Sequence, residues 1–221
     1  MGSAGHHSGL MSTHLRESVR FGTVTIEYDD RVLRPRSWTE LQSRWAAELL
    51  ADAPAGPVLE LCSGAGHIGL LAAALSGRRL VAVDLNPAAV YFTRLNAEGA
   101  GLTPRVEVRE GRLEEQVGAD ETFALAVADP PWVTSAEIGR YPEDPRLAID
   151  GGDDGLAVAR ACVAACTGHV ADGGSLLLQL GTHAQAERIV SEATGAGWVG
   201  GERRAGPRGV VQQLLAAAPG A

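Results

Sequence analysis

Metal-binding cysteine pairs are missing from this chain. Its three cysteines, Cys62, Cys162 and Cys166, form no Cys-x-x-Cys and stand in no His/Cys cluster, so no zinc site is expected and a reducing, cytoplasmic setting is. No run of 18 apolar residues occurs, so no membrane-spanning helix is expected. The start, Met1-Gly2-Ser3-Ala4-Gly5-His6-His7-Ser8-Gly9-Leu10, lacks the apolar core of a secretory leader. It reads as a flexible tail over residues 1–20, ahead of a single domain over 21–221. Basic charge is also short: 19 Lys and Arg stand against 27 Asp and Glu, a net charge of −8. That argues against broad binding to phosphate backbones, so extended nucleic acid is not an expected partner, whereas a protein, a peptide or a small molecule is. Aromatic residues make up only 5% of the chain, but hydrophobic residues reach 45% and there are 28 glycines. Such a composition builds a substantial core from closely packed helices and tight strand–helix turns.

From residue 21 onward, short apolar runs alternate with helical segments. Phe21–Glu27 and Arg31–Leu33 flank Asp29-Asp30 and read as a hairpin. Ser37-Trp38-Thr39-Glu40 has the form of a capping box opening a helix to about Ala51. Strands are expected at 58–61, 80–84, 106–109, 124–128 and 175–180, with helices between them. Asn86-Pro87 supplies an N-cap and a proline at the first helical position. Residues 198–203 and 210–215 close the chain as an antiparallel pair. The fold class is therefore α/β: a Rossmann-like, seven-stranded, mostly parallel sheet with helices on both faces and an antiparallel C-terminal strand pair. Ligands of such sheets sit at the carboxyl ends of the strands.

Two groups of residues fall at those ends. In Val58-Leu59-Glu60-Leu61-Cys62-Ser63-Gly64-Ala65-Gly66-His67-Ile68-Gly69, a strand enters a glycine turn and then a helix. Gly64-x-Gly66-x-x-Gly69 also matches a dinucleotide fingerprint, which keeps a nicotinamide-dependent oxidoreductase open. Glu60 inside the strand suits a cationic amino-acid portion and would repel a pyrophosphate, and Asp84 at the next strand end suits a ribose diol. Together they favour S-adenosylmethionine, with S-adenosylhomocysteine as product. Glu60, Cys62, Gly64, Gly66, Asp84, Leu85, Arg112 and Asp129 are the expected cofactor contacts, Arg112 standing at the turn that should face the adenine. A cofactor-binding module without catalysis remains a further alternative.

The second group is Asp129-Pro130-Pro131-Trp132, at the end of the fourth strand. The prolines stop strand pairing and fix an extended turn. The Asp129 carboxylate and the Pro130 carbonyl then make a two-acceptor clamp for an NH2 group, and Trp132 offers a flat face for a planar amide or nucleobase. Transfer of a methyl already activated on sulfur needs alignment more than acid–base power. Asp129, Pro130 and Trp132 are thus the expected catalytic residues.

Over residues 31–198 the chain resembles the catalytic domain of the HemK/PrmC-type protein-glutamine methyltransferases that modify release factors. The likeness is carried by Pro35-Arg36-Ser37-Trp38-Thr39-Glu40, by the Glu60–Gly66 turn with Asp84, by Asp129-Pro130-Pro131-Trp132, and by Tyr141–Ala148 with Gly151-Gly152-Asp153-Asp154-Gly155-Leu156. The resemblance implies N-methylation of a planar amide such as a protein glutamine, with Arg36, Thr39, Pro131 and Trp132 toward the substrate and segment 133–153 as a lid. Asp129 stands where the family has Asn and Trp132 where it has Tyr. That Asp is similar to enzymes acting on exocyclic amines, so methylation of a small metabolite or nucleobase is the alternative.

Overall fold

The runs Val58–Leu61, Leu80–Asp84 and Phe123–Ala128 are almost wholly apolar, as strands covered on both faces must be. In the computed structural model, which describes residues 14–217, they form the centre of a seven-stranded sheet. In chain order the elements are β1 (Glu17–Phe21), β2 (Val24–Tyr28), α1 (Glu40–Leu50), β3 (Val58–Leu61), α2 (His67–Ser76), β4 (Leu80–Asp84), α3 (Pro87–Gly99) and β5 (Val106–Glu110). Then follow α4 (Leu113–Gln116), β6 (Phe123–Ala128), α5 (Arg146–Ile149), α6 (Ala157–Cys166), β7 (Val170–Leu180), α7 (His183–Thr194), β8 (Trp198–Ala205) and β9 (Val210–Ala216).

The strand order is β5-β4-β3-β6-β7-β9-β8. The first five strands run parallel, and β9 runs antiparallel to both of its neighbours. One core, with Trp45, Leu70 and Phe92, lies under α1, α2 and α3; the other, with Leu113, Cys162 and Ile189, lies under α4, α6 and α7. This is the Rossmann-like arrangement expected, with helices on both faces. Because β4 and β5 extend the sheet on one side of β3 while β6 and β7 extend it on the other, the winding reverses between β3 and β6. A crevice opens at that point beyond their carboxyl ends.

The amino-terminal region departs from expectation. The hairpin pairs Glu17–Phe21 with Val24–Tyr28, its turn held by Gly22 at φ 54. That glycine interrupts what the sequence presents as one apolar run over 21–27. Residues 17–20, expected in the tail, are strand; residues 1–13 lie outside those described. The capping box does not form either. Ser37–Thr39 make a 3-10 turn whose amides are met by backbone: Thr39 N–H donates to Arg36 O and Glu40 N–H to Ser37 O. With those amides satisfied, no side chain is needed as a cap. Asn86 does cap α3, its Oδ1 accepting from Ala88 N–H at 2.9 Å.

Candidate active site

The crevice holds a cavity of about 330 Å³ lined by Cys62 after β3, Asp84 and Leu85 after β4, Arg112 and Leu113 at the start of α4, and Asp129 after β6. Ala157, Val158 and Ala161 of α6 and Leu147 of α5 give it a largely apolar wall. Its volume lies within the range of small-molecule sites. Asp84 is half-buried, and burial raises its pKa above the ordinary carboxylate range. One of its oxygens accepts from Gly64 N–H and the other from Asn86 N–H, both at 2.8 Å. The carboxylate is thus oriented by backbone, with lone pairs left on each oxygen.

Glu60, Gly64 and Gly66 are not among the cavity's lining residues. Glu60 is 2% exposed and turned towards α2, where its Oε1 accepts from Gly69 N–H at 2.8 Å. Its Oε2 has no partner, and burial pushes its pKa up to about 8. Period-two alternation accounts for this placement: residues 58 and 60 of β3 face the α2 side. Gly64 and Gly66 take φ 53 and 78 and shape the turn that leads into α2. Cys62 has φ 58, the sole left-handed non-glycine among the described residues, and its Sγ lies 3.9 Å from that of Cys162. Contact with Cys162, and then burial, pushes the Cys62 thiol well up, so it forms cavity wall rather than a nucleophile. Arg112 sits exposed at the rim, forked onto Glu114 at 2.8 Å.

A second cavity, of about 360 Å³, is lined by Arg36, Trp38, Thr39, Asp129, Trp132, Tyr141, Asp144 and Arg208. The two cavities share Leu33, Asp129 and Ala148. Asp129 is half-buried between them, and burial pushes its pKa up to about 7. Pro131 lines the first cavity, not the second, while Pro130 is buried and lines neither. Arg36 reaches Asp144 at 2.7 Å and so ties the segment before α1 to the one before α5. Segment 133–153 contributes to both cavities and is anchored by a bridge between Val133 and Asp150.

The Asp129–Trp132 loop is held from three sides. Gln42 of α1, fully buried, donates from Nε2 to Ala128 O and to Leu177 O, both at 2.9 Å. These carbonyls lie near the ends of β6 and β7, and Gln42 meets them both. Gln185 of α7 donates to Trp132 O at 3.0 Å, and a Cβ on Gly181 would overlap the Trp132 ring. Gly155, at φ 72, lies so close to Trp132 O that no side chain would fit. This close approach explains the Gly-Gly-Asp-Asp-Gly stretch: its turn packs directly on the loop backbone.

Several lining residues are not among the expected contacts. Tyr141 and Asp144 belong to the 133–153 segment expected as a lid, without being singled out there. Trp38 sits between the two substrate candidates Arg36 and Thr39. Arg208 follows from no motif, because the β8–β9 turn reaches the site only once the sheet is assembled.

Comparison with known proteins agrees with this arrangement. Residues 40–140 match the family described as Methyltransferase small domain. The chain is 37% identical over 190 residues to the release factor glutamine methyltransferase of Deinococcus radiodurans, covering 84% of this chain and 66% of that one. It is 32% identical over 195 residues to the corresponding enzyme of Moorella thermoacetica, covering 86% and 69%. A ribosomal protein uL3 glutamine methyltransferase of Bordetella pertussis is 33% identical over 160 residues, covering 69% and 53%. The chain thus spans about two thirds or less of the length of these relatives. Among solved structures, the hMettl16 catalytic domain in complex with the MAT2A 3'UTR hairpin 1 shares the fold, with TM-score 0.71, 13% identity and coverage of 89% and 76%. Among the described residues, no helix is long and apolar enough to cross a membrane. With its sheet order, its crevice and these matches, the chain belongs to the class I S-adenosylmethionine-dependent methyltransferases, in the family of the release factor glutamine methyltransferases.

Proposed function

We propose that this methyltransferase modifies the side-chain amide nitrogen of a glutamine in a protein, as its relatives' names describe for them. The observation that carries the reading is the position of Asp129, a carboxylate common to the walls of two adjoining cavities. A methyl donor on one side and a methyl acceptor on the other would meet at that residue.

The first cavity fits S-adenosylmethionine in size and in chemistry. Asp84 offers a backbone-oriented carboxylate for a ribose diol, and Leu85, Leu113, Val158 and Ala161 offer an apolar wall for a purine. Glu60, enclosed against Gly69, supports the glycine turn instead of meeting the ligand. When bound, the cofactor supplies a methyl group already activated on a sulfonium, and the protein's task is alignment.

Asp129 accepts a hydrogen of the amide NH2 and fixes the nitrogen where the cavities join; the Pro130 carbonyl, expected as the second acceptor, lines neither cavity. The ionised carboxylate also favours the positive charge that develops there. Trp132, fixed from behind by Gly181 and Gln185, supplies a face for the planar amide. Segment 133–153 lines both cavities, and a substrate seated against it would displace water from the junction.

The test incubates the chain with isotopically labelled S-adenosylmethionine and a release-factor peptide carrying a Gly-Gly-Gln turn, with the product mapped by tandem mass spectrometry. The glutamine reading expects one methyl on the side-chain nitrogen, with Asp129→Asn retaining activity and Asp84→Ala losing calorimetric cofactor binding. A second reading, methylation of an exocyclic amine on a small metabolite or nucleobase, is favoured by the Asp at 129. Transfer to such amines but to no glutamine peptide, with collapse in Asp129→Asn, would replace the first reading with the second.

A further inference from the structure

Trp38 lines the substrate cavity with two guanidinium groups against its ring. Arg36 and Arg208 each lie 5.7 Å from the ring centre. The charge of Arg36 is met by Asp144 at 2.7 Å. Arg208 forms no ion pair among the described residues, although all 19 basic residues of the chain are arginine and acids outnumber them by 27 to 19. Other arginines are also unpaired among the described residues, but of the three that line this cavity Arg36 and Arg140 are met by Asp144 and Glu137, and Arg208 is left without a partner although Glu143 and Asp129 line the same cavity.

Arg208 is also held in place. It sits on the turn between β8 and β9, closed by Gly206 N–H donating to Gly209 O at 3.2 Å. Gln179, 3% exposed, donates from Nε2 to Arg208 O at 3.4 Å. Gly209, at φ 71, approaches the Leu180 carbonyl so closely that any Cβ would overlap it. The turn is thus fixed against the end of β7. A guanidinium lying on an indole keeps its edge N–H groups available, and their fork matches a carboxylate. Asp144 already offsets the charge of Arg36, so Arg208 is the guanidinium on this ring left to meet an arriving anion.

We infer that Arg208 is a specificity-determining residue: it takes a carboxylate of the substrate polypeptide close in sequence to the methylated glutamine. The enzyme therefore favours targets with a nearby Asp or Glu. This inference rests on the polypeptide reading above and names the feature that the polypeptide must carry. Trp38 acts through Arg208 by offering its ring face at 5.7 Å, while Arg36, already paired, contributes less to the choice.

The experiment measures binding of two fluorescent glutamine-centred octapeptides by anisotropy, one flanked by Glu and one flanked by Gln, at 50 mM salt. Wild type is expected to favour the acidic peptide about fivefold, within the range of an exposed charge pair. The preference should shrink in 1 M salt. Arg208→Gln brings the ratio close to one, and Arg208→Glu reverses it. A wild-type ratio of one, failure of the acidic peptide to bind, or a ratio unchanged in Arg208→Gln overturns the inference. Methyl transfer to the same peptides is read separately by mass spectrometry. Failure of the glutamine reading then has its own signature: binding that depends on Arg208 with no methylation.

Discussion

Replacing Glu60 by Gln changes one atom and removes one ionisation from the interior. Glu60 is 2% exposed, one oxygen accepts from Gly69 N–H, the other has no partner, and burial pushes its pKa to about 8. In the unfolded chain the same group titrates at about 4.5. The native state therefore holds a proton that the unfolded state has released between those two values. Native stability falls with rising pH across that window, by about 1.4 kcal/mol per pH unit. The loss reaches about 3 kcal/mol at pH 7 and levels off near 5 kcal/mol above pH 8. In Glu60→Gln the oxygen facing Gly69 is kept and nothing ionises, so this loss disappears. The new NH2 group costs roughly 1–3 kcal/mol if unpaired, which places the variant at or below wild type at pH 5. Urea unfolding at pH 5, 7 and 9 should show the variant overtaking wild type by about 2–4 kcal/mol at pH 9, with other titrating groups common to both chains. A difference between the two proteins that stays constant from pH 5 to 9 would refute the reasoning. Calorimetry on the same variant should find cofactor affinity within about threefold of wild type, because the carboxyl faces Gly69 and not the cavity.

Further expectations follow from the site. Asp129, with its pKa pushed to about 7, gives wild-type kcat/KM a roughly tenfold rise from pH 6 to 8, as the carboxylate ionises and becomes the better acceptor. Asp129→Asn should give a flat profile over that range, measured by label transfer. Gln42→Leu leaves the buried Ala128 and Leu177 carbonyls without the amide that meets them, costing about 2–4 kcal/mol and lowering Tm by roughly 5–15 °C in a thermal melt. Gly155→Ala places a methyl on the Trp132 carbonyl at a left-handed position, costing about 2–4 kcal/mol. Its residual folded fraction should lose methyl transfer before it loses cofactor binding, because the displaced loop carries Asp129 and Trp132. Cofactor titration beside label transfer checks that order.

Much of the fold was legible because its signals are local. Almost wholly apolar runs at 58–61, 80–84 and 124–128 mark strands buried on both faces, and Asn86-Pro87 marks a helix start with its cap in place. The motifs at the strand ends were legible as positions: Cys62, Asp84, Leu85, Arg112 and Asp129 all reach one cavity. Less legible was which way each side chain points. Glu60 is an acid in the right strand, but the alternation of β3 turns it onto Gly69. The capping-box pattern at Ser37–Glu40 was misleading because a 3-10 turn satisfied the same amides with backbone. The hairpin differs from expectation because Gly22, inside an apolar run in the sequence, forms its turn at φ 54. Arg208 lay beyond reach altogether: it is far from the other site residues in sequence, and only the antiparallel closure of β8 on β9 brings it over Trp38.

The wall between the two cavities is three residues wide: Leu33, Asp129 and Ala148. A ligand in either cavity would touch residues that also bound the other, so any shift it causes in Leu33, Asp129 or Ala148 would couple the two occupancies. If filling the second cavity raises affinity for the ligand of the first by some factor, filling the first must raise affinity for the ligand of the second by the same factor. On the proposed reading, a demethylated donor retained in the first cavity would leave the second open to a substrate that it can no longer methylate. Release of that spent donor would then set the turnover rate.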